Sequence, residues 1–162
     1  MRWINFILLA YVMLGLQIGL SEFVGTGSSG VNFVLIAATF IAINAQRDPA
    51  LIACFALGLL HDLVGVGPIG TYALGYSCLA LLVAGSERSL SVEHPFTHFI
   101  ITLFGGVVVA VIASIVNWWH NIDAMLMSRL LTAFYSALLA VPVLWGLSKL
   151  RRSFRFRSSV GR

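Results

Sequence analysis

Long apolar runs dominate the chain and leave little choice of fold. Residues 3–20, 31–45, 49–64, 68–85, 96–118 and 124–148 each carry at most one charged residue, and the joints between them are short. Only 10% of the 162 residues are Asp, Glu, Lys or Arg, and 59% are hydrophobic. A soluble domain carries roughly 25% charged residues, so this chain lacks the polar surface to dissolve in water. A helix needs about 17–25 apolar residues to cross roughly 30 Å of hydrocarbon, a length most of the runs approach or reach. The second run is short, and spans only with help from its flanks or with local thinning of the bilayer. No run alternates with the period of a barrel strand, which excludes a transmembrane β-barrel. The expected fold is an all-α integral membrane protein. Six transmembrane helices form one domain over 1–148, and a basic tail covers 149–162.

The basic residues orient this bundle. With six spans and a cytoplasmic N-terminus, Arg2, Arg47, Arg88, Lys149, Arg151, Arg152, Arg155, Arg157 and Arg162 all face the cytoplasm. The outer loops then hold Glu22 and Asp123 and no Lys or Arg, leaving out Arg129 within the last span. That is the positive-inside pattern. A five-span arrangement without the short second helix puts the Arg2 end outside or inverts every later loop. Trp3 and Trp145 mark the inner interface on this reading, and Trp118 and Trp119 the outer one. The first run exceeds a signal peptide's apolar core of about 7–15 residues, and no A-x-A site follows it. The expected location is the bacterial cytoplasmic (inner) membrane, multi-pass, with both termini cytoplasmic. The net charge of +4 does not point to nucleic acid, because six of the ten basic residues follow residue 148.

Few groups could carry chemistry. Cys54 and Cys78 lie inside apolar runs, as small buried side chains do, and not in a loop framework of disulfides. His61-Asp62 has the look of a metal-binding step, but further His or Asp ligands at fitting spacing are missing, and neighbours on a helix point about 100° apart. No Asp-rich motif holds a metal, and no motif frames a Ser/His dyad. No catalytic residue, metal or cofactor is expected. Glu22, His120 and Asp123 on the outer side, and Asp48, Glu87, Glu93, His94 and His98 on the inner, form no convergent cluster.

Asp62 still needs a reason, because a charge deep in a span is expensive. Asp62 lies near the outer end of the third span, and Arg129 lies about five residues below the outer start of the sixth, roughly 7–8 Å by helical rise. The two either pair inside the bundle as a structural polar pair or snorkel separately to outer water. Gly65 and Gly67 are expected to permit the reversal between the third and fourth spans, with Pro68 in the first turn of the next helix. Gly15 and Gly19 make a GxxxG face on the first span, either for docking a partner helix or for packing within the bundle. Gln17 between them could hydrogen-bond across helices. The loop over 21–30, with its GTGSSG, is chemically blank, and no internal repeat relates the two halves. The tail residues Lys149, Arg151, Arg152, Arg155 and Arg157 suit an anionic cytoplasmic membrane surface, at about 1 kcal/mol each. Orientation alone also accounts for them.

The stretch GLLHDLVGVGPIGTYALGY over 58–76 resembles the signature region of the MreD family, small membrane proteins of the bacterial rod-shape system. The matching positions are Gly58, Leu59, Asp62, Gly67, Ile69, Gly70, Ala73 and Leu74. The resemblance implies a non-enzymatic adaptor or scaffold of the elongation complex (the elongasome), which acts in cell shape and peptidoglycan synthesis. Such a protein binds MreC and helps couple the MreB cytoskeleton to RodA and its penicillin-binding transpeptidase. It also implies a fold similar to the substrate-binding S-components of energy-coupling-factor transporters. The alternative is therefore a membrane subunit that binds a vitamin-type small molecule. Membrane lipids are expected partners on either reading, and nucleic acid is not.

Overall fold

The computed structural model describes residues 3–20, 30–65, 67–86, 95–119 and 126–154. They form six α-helices: α1 (Trp3–Leu20), α2 (Phe33–Asn44), α3 (Arg47–Val64), α4 (Thr71–Ser86), α5 (Pro95–Trp119) and α6 (Leu126–Phe154). One helix falls on each apolar run. The boundaries differ for local reasons. α3 starts at Arg47, before Pro49, because a first turn tolerates proline and favours the acidic Asp48. α4 starts at Thr71, so Pro68 lies in the turn ahead of it, where its carbonyl accepts from the Thr71 N–H and hydroxyl. α6 runs to Phe154, taking in Lys149, Arg151 and Arg152 of the expected tail.

The shortest helix is the centre of the bundle. α2 touches each of the other five helices, and every residue from Phe33 to Ala42 is buried. A helix apolar on all sides belongs inside a core. Its 12 residues rise only about 18 Å, too little for a full crossing. Its uniform apolarity follows from its being walled by protein on all sides.

α4 and α5 run antiparallel. Gly75 and Val109 face each other across α4 and α5, as do Leu79 and Gly105. Gly106 of α5 meets Ala133 of α6, and the Cys54 thiol of α3 reaches the Ala38 carbonyl of α2 at 3.5 Å. Both cysteines are free. The outer surface is strongly apolar: Ile4, Tyr11, Ile52, Leu63, Phe104, Ile115 and Leu138, among others, are exposed on five helices. Soluble monomers rarely show such a belt. α5 and α6 contain segments long and apolar enough to cross a membrane, Thr97–Trp119 and Met127–Leu144. These features are consistent with a helical membrane protein.

Candidate functional site

The α3–α4 reversal is built around a close approach and a carboxylate. Gly58 lies against the backbone of α4: a Cβ placed there would collide with Ala73 and stand 2.6 Å from the Tyr72 carbonyl oxygen. One turn later, Asp62 points at the start of α4. Its Oδ2 accepts from the N–H groups of Gly70 at 2.9 Å and Ala73 at 3.2 Å, and its Oδ1 from that of Tyr72 at 3.0 Å. A helix start has unpaired N–H groups and a partial positive charge, so a buried carboxylate is stable there. Gly70 adopts φ 100°, the one positive-φ glycine among the described residues. Gly65 and Gly67 lie in the reversal between α3 and α4, as expected of them, but the positive-φ conformation is not theirs. Gly65 has an extended φ of −82° that any residue adopts, and the left-handed conformation falls on Gly70 instead.

Beside this cap lies a buried polar network at the start of α2. The Asn32 Oδ1 accepts from the Leu35 N–H at 2.9 Å and caps α2. Its Nδ2 donates to the Tyr76 hydroxyl at 3.0 Å, and that hydroxyl lies 2.7 Å from the His61 Nδ1. The same hydroxyl lies 3.2 Å from Asn32 Oδ1, so its proton is shared between two acceptors, Asn32 Oδ1 and the closer His61 Nδ1 in the tautomer that leaves that nitrogen unprotonated. The Asn32 N–H donates to the Ser136 hydroxyl at 2.8 Å, and the Phe33 N–H to the Gln17 side-chain oxygen at 2.7 Å. Helices α1, α2, α3, α4 and α6 are thus joined through one cap. His61 is buried, its ring tilted by 32° against that of Tyr72 with centres 4.2 Å apart. Sequence reading missed Asn32, Tyr76, Tyr72 and Ser136. Asn32 was signalled by its place just before an apolar helical run; the other three look like ordinary members of theirs.

Replacing Tyr76 by Phe keeps the ring and removes the shared hydroxyl. It leaves Asn32 Nδ2 and His61 Nδ1 without that partner, and should cost about 1–3 kcal/mol. Thermal unfolding in detergent checks this; an unchanged transition would mean that the hydroxyl stabilises nothing.

Asp62 and Arg129 are not joined by an ion pair among the described residues. The carboxylate is taken up by backbone amides, while Arg129 lines a half-open cavity of about 460 Å³ between α5 and α6, which Asn32, Leu35 and Tyr72 also line. Its Nη1 is buried with no hydrogen-bond partner among the described residues. At the other end of the bundle, the His98 Nδ1 is likewise buried and unpartnered. Among the described residues no group of His, Cys, Asp or Glu gathers in the manner of a metal site. Gly15 and Gly19 meet nothing within 4 Å, so they do not serve packing inside the bundle. Glu22, Glu87, Glu93, His94, His120, Asp123, Arg2, Arg88, Arg155, Arg157 and Arg162 lie outside the described residues, as do the 21–29 loop and the side chains of Trp3, Trp145, Lys149, Arg151 and Arg152. Trp118 and Trp119 end α5 and are exposed.

A family model described as "rod shape-determining protein MreD" matches residues 1–154. The chain belongs to the MreD family. No curated protein and no solved structure matches it. Membership places the chain in the rod-shape machinery, which implies protein partners; the family is named for shape determination and not for a reaction. The signature stretch of this MreD divides by role. Gly58, Asp62, Gly70 and Ala73 build the α3–α4 joint. Ile69 and Leu74 are exposed, Leu59 is half-buried, and a Cβ on Gly67 would meet nothing.

Proposed function

We propose that this MreD is a non-enzymatic adaptor of the elongation complex. On this reading its six helices span the cytoplasmic membrane with both termini inside, and the fold is akin to transporter S-components. It binds MreC and helps couple MreB to RodA and its transpeptidase partner. The observation that carries the reading is the outward face of α1. Ile4, Leu8, Tyr11, Gly15 and Gly19 fall on one side of that helix by the 3.6-residue period. Ile4 and Tyr11 are each 80% exposed, and both glycines are open. Phe6, Leu9, Ala10 and Met13 occupy the opposite, buried side, where Gln17 also reaches α2. An apolar stripe ending in two bare glycines suits close approach of a single-pass helix such as that of MreC.

The double substitution Gly15→Leu with Gly19→Leu fills that face without touching the bundle. It should reduce co-purification of MreC about tenfold, or 1.4 kcal/mol, and round the cells, while thermal stability in detergent stays at the wild-type value. Undiminished MreC recovery from the double variant would remove α1 as the docking helix. A second reading, a subunit that binds a small molecule, draws on the cavity beside Arg129.

A further inference from the structure

The cavity between α5 and α6 has the wrong chemistry for empty space and the wrong size for a few waters. α5 and α6 meet tightly at Gly106, where a Cβ would stand 2.7 Å from that of Ala133. The cavity opens beside this contact because Ala110 and Ala113, one and two turns further along α5, offer no bulk to fill it. At about 460 Å³ it falls in the range of small-ligand sites, roughly 300–1,000 Å³. A water takes only about 30 Å³ of liquid. Leu35 and Val109 make its apolar wall, while Tyr72 and Arg129 border it with polar groups.

The charge decides what fits. Nearly all intramembrane cations pair with an anion or reach water, yet Arg129 Nη1 is buried with no hydrogen-bond partner among the described residues, and Asp62, the one buried carboxylate among them, is spent on the start of α4. The guanidinium charge is delocalised over its nitrogens, so the cavity beside it is electropositive. An occupant must therefore bring an anionic oxygen group and an apolar chain together. We propose that this cavity binds an anionic amphiphile, a phosphorylated or carboxylated lipid, with its head group at Arg129 and its chain along Val109 and Ala110. This site stands apart from the α1 face and does not depend on the adaptor reading.

The test uses the full chain in neutral detergent, with binding followed by native mass spectrometry and thermal shift. The probes are phosphatidic acid, oleate, phosphatidylcholine and inorganic phosphate. Phosphatidic acid and oleate should bind at least tenfold more tightly than phosphatidylcholine, and Arg129→Gln should erase that preference while Arg129→Lys keeps most of it. Ala113→Leu, which fills the space and leaves the charge, should weaken both anionic lipids. Three results overturn the proposal. One is equal binding of phosphatidylcholine. Another is tight binding of inorganic phosphate with no gain from the chain, which would make this an ion site. The third is loss of all lipid preference together with cross-linking of a partner helix to position 129, which would make the cavity a protein interface.

Discussion

Gly58→Ala should destabilise the protein by about 3 kcal/mol or more, although alanine is the better helix former by about 1 kcal/mol. The added methyl group is directed at the backbone of Ala73 and Tyr72 rather than at a side chain that could turn away. The two helices can accommodate it only by separating. That separation draws the Asp62 carboxylate from the amides of α4, because Asp62 is one helical turn beyond Gly58 and its bonds to Gly70, Tyr72 and Ala73 are 2.9–3.2 Å long. Denaturant-induced unfolding in mixed micelles measures the effect, with Gly105→Ala as a control. There the clash is with the end of the flexible Leu79 side chain, and the cost should be much smaller. Equal stability of Gly58→Ala and wild type would show that the α3–α4 contact is looser than described.

Asp62→Ala carries the second large effect. It removes an acceptor shared by three backbone N–H groups in a buried place. Bonds to a charged acceptor are worth about 1.5–3 kcal/mol each and do not add fully, so a loss of about 3–4 kcal/mol is expected. Asp62→Asn should fall between, because one oxygen still accepts while the charge opposite the helix start is gone. The comparison with Arg129 is diagnostic. Were the carboxylate held for the sake of the arginine, Arg129→Gln would cost as much as Asp62→Ala. The structure has Asp62 serving α4, so Arg129→Gln should leave stability close to wild type. Nor should exchanging the two charges restore the Asp62 variants, since an arginine at 62 has no acceptor to offer three amides.

What could be read in advance follows from where the partners lie. The six helices were legible because burial in apolar surroundings leaves its mark on each segment separately. The short second run was legible as an oddity, and its enclosure by five helices was not. Asp62 stood out as a residue needing an explanation. The partner inferred from opposite charge at similar depth was Arg129, whereas backbone amides 8–11 residues downstream hold the carboxylate. Main-chain donors leave no trace in side-chain identity. Tyr76 and Asn32 are 44 residues apart, and Ser136 is 104 from Asn32, so no local pattern could join them. The open side of α1 was visible as a glycine spacing, but only the packing of Phe6, Leu9 and Met13 shows which side of the helix is free.

The enclosure of α2 also bears on how such a chain enters a bilayer. In the proposed membrane placement, a helix about 18 Å long has no lipid-facing side and cannot reach both surfaces. It gains little from entering hydrocarbon alone, and its first turn depends on Asn32, Ser136 and Tyr76, two of which are translated later. Insertion of the second segment is then a property of the assembled chain. It becomes secure only when α6, translated about ninety residues later, closes over it.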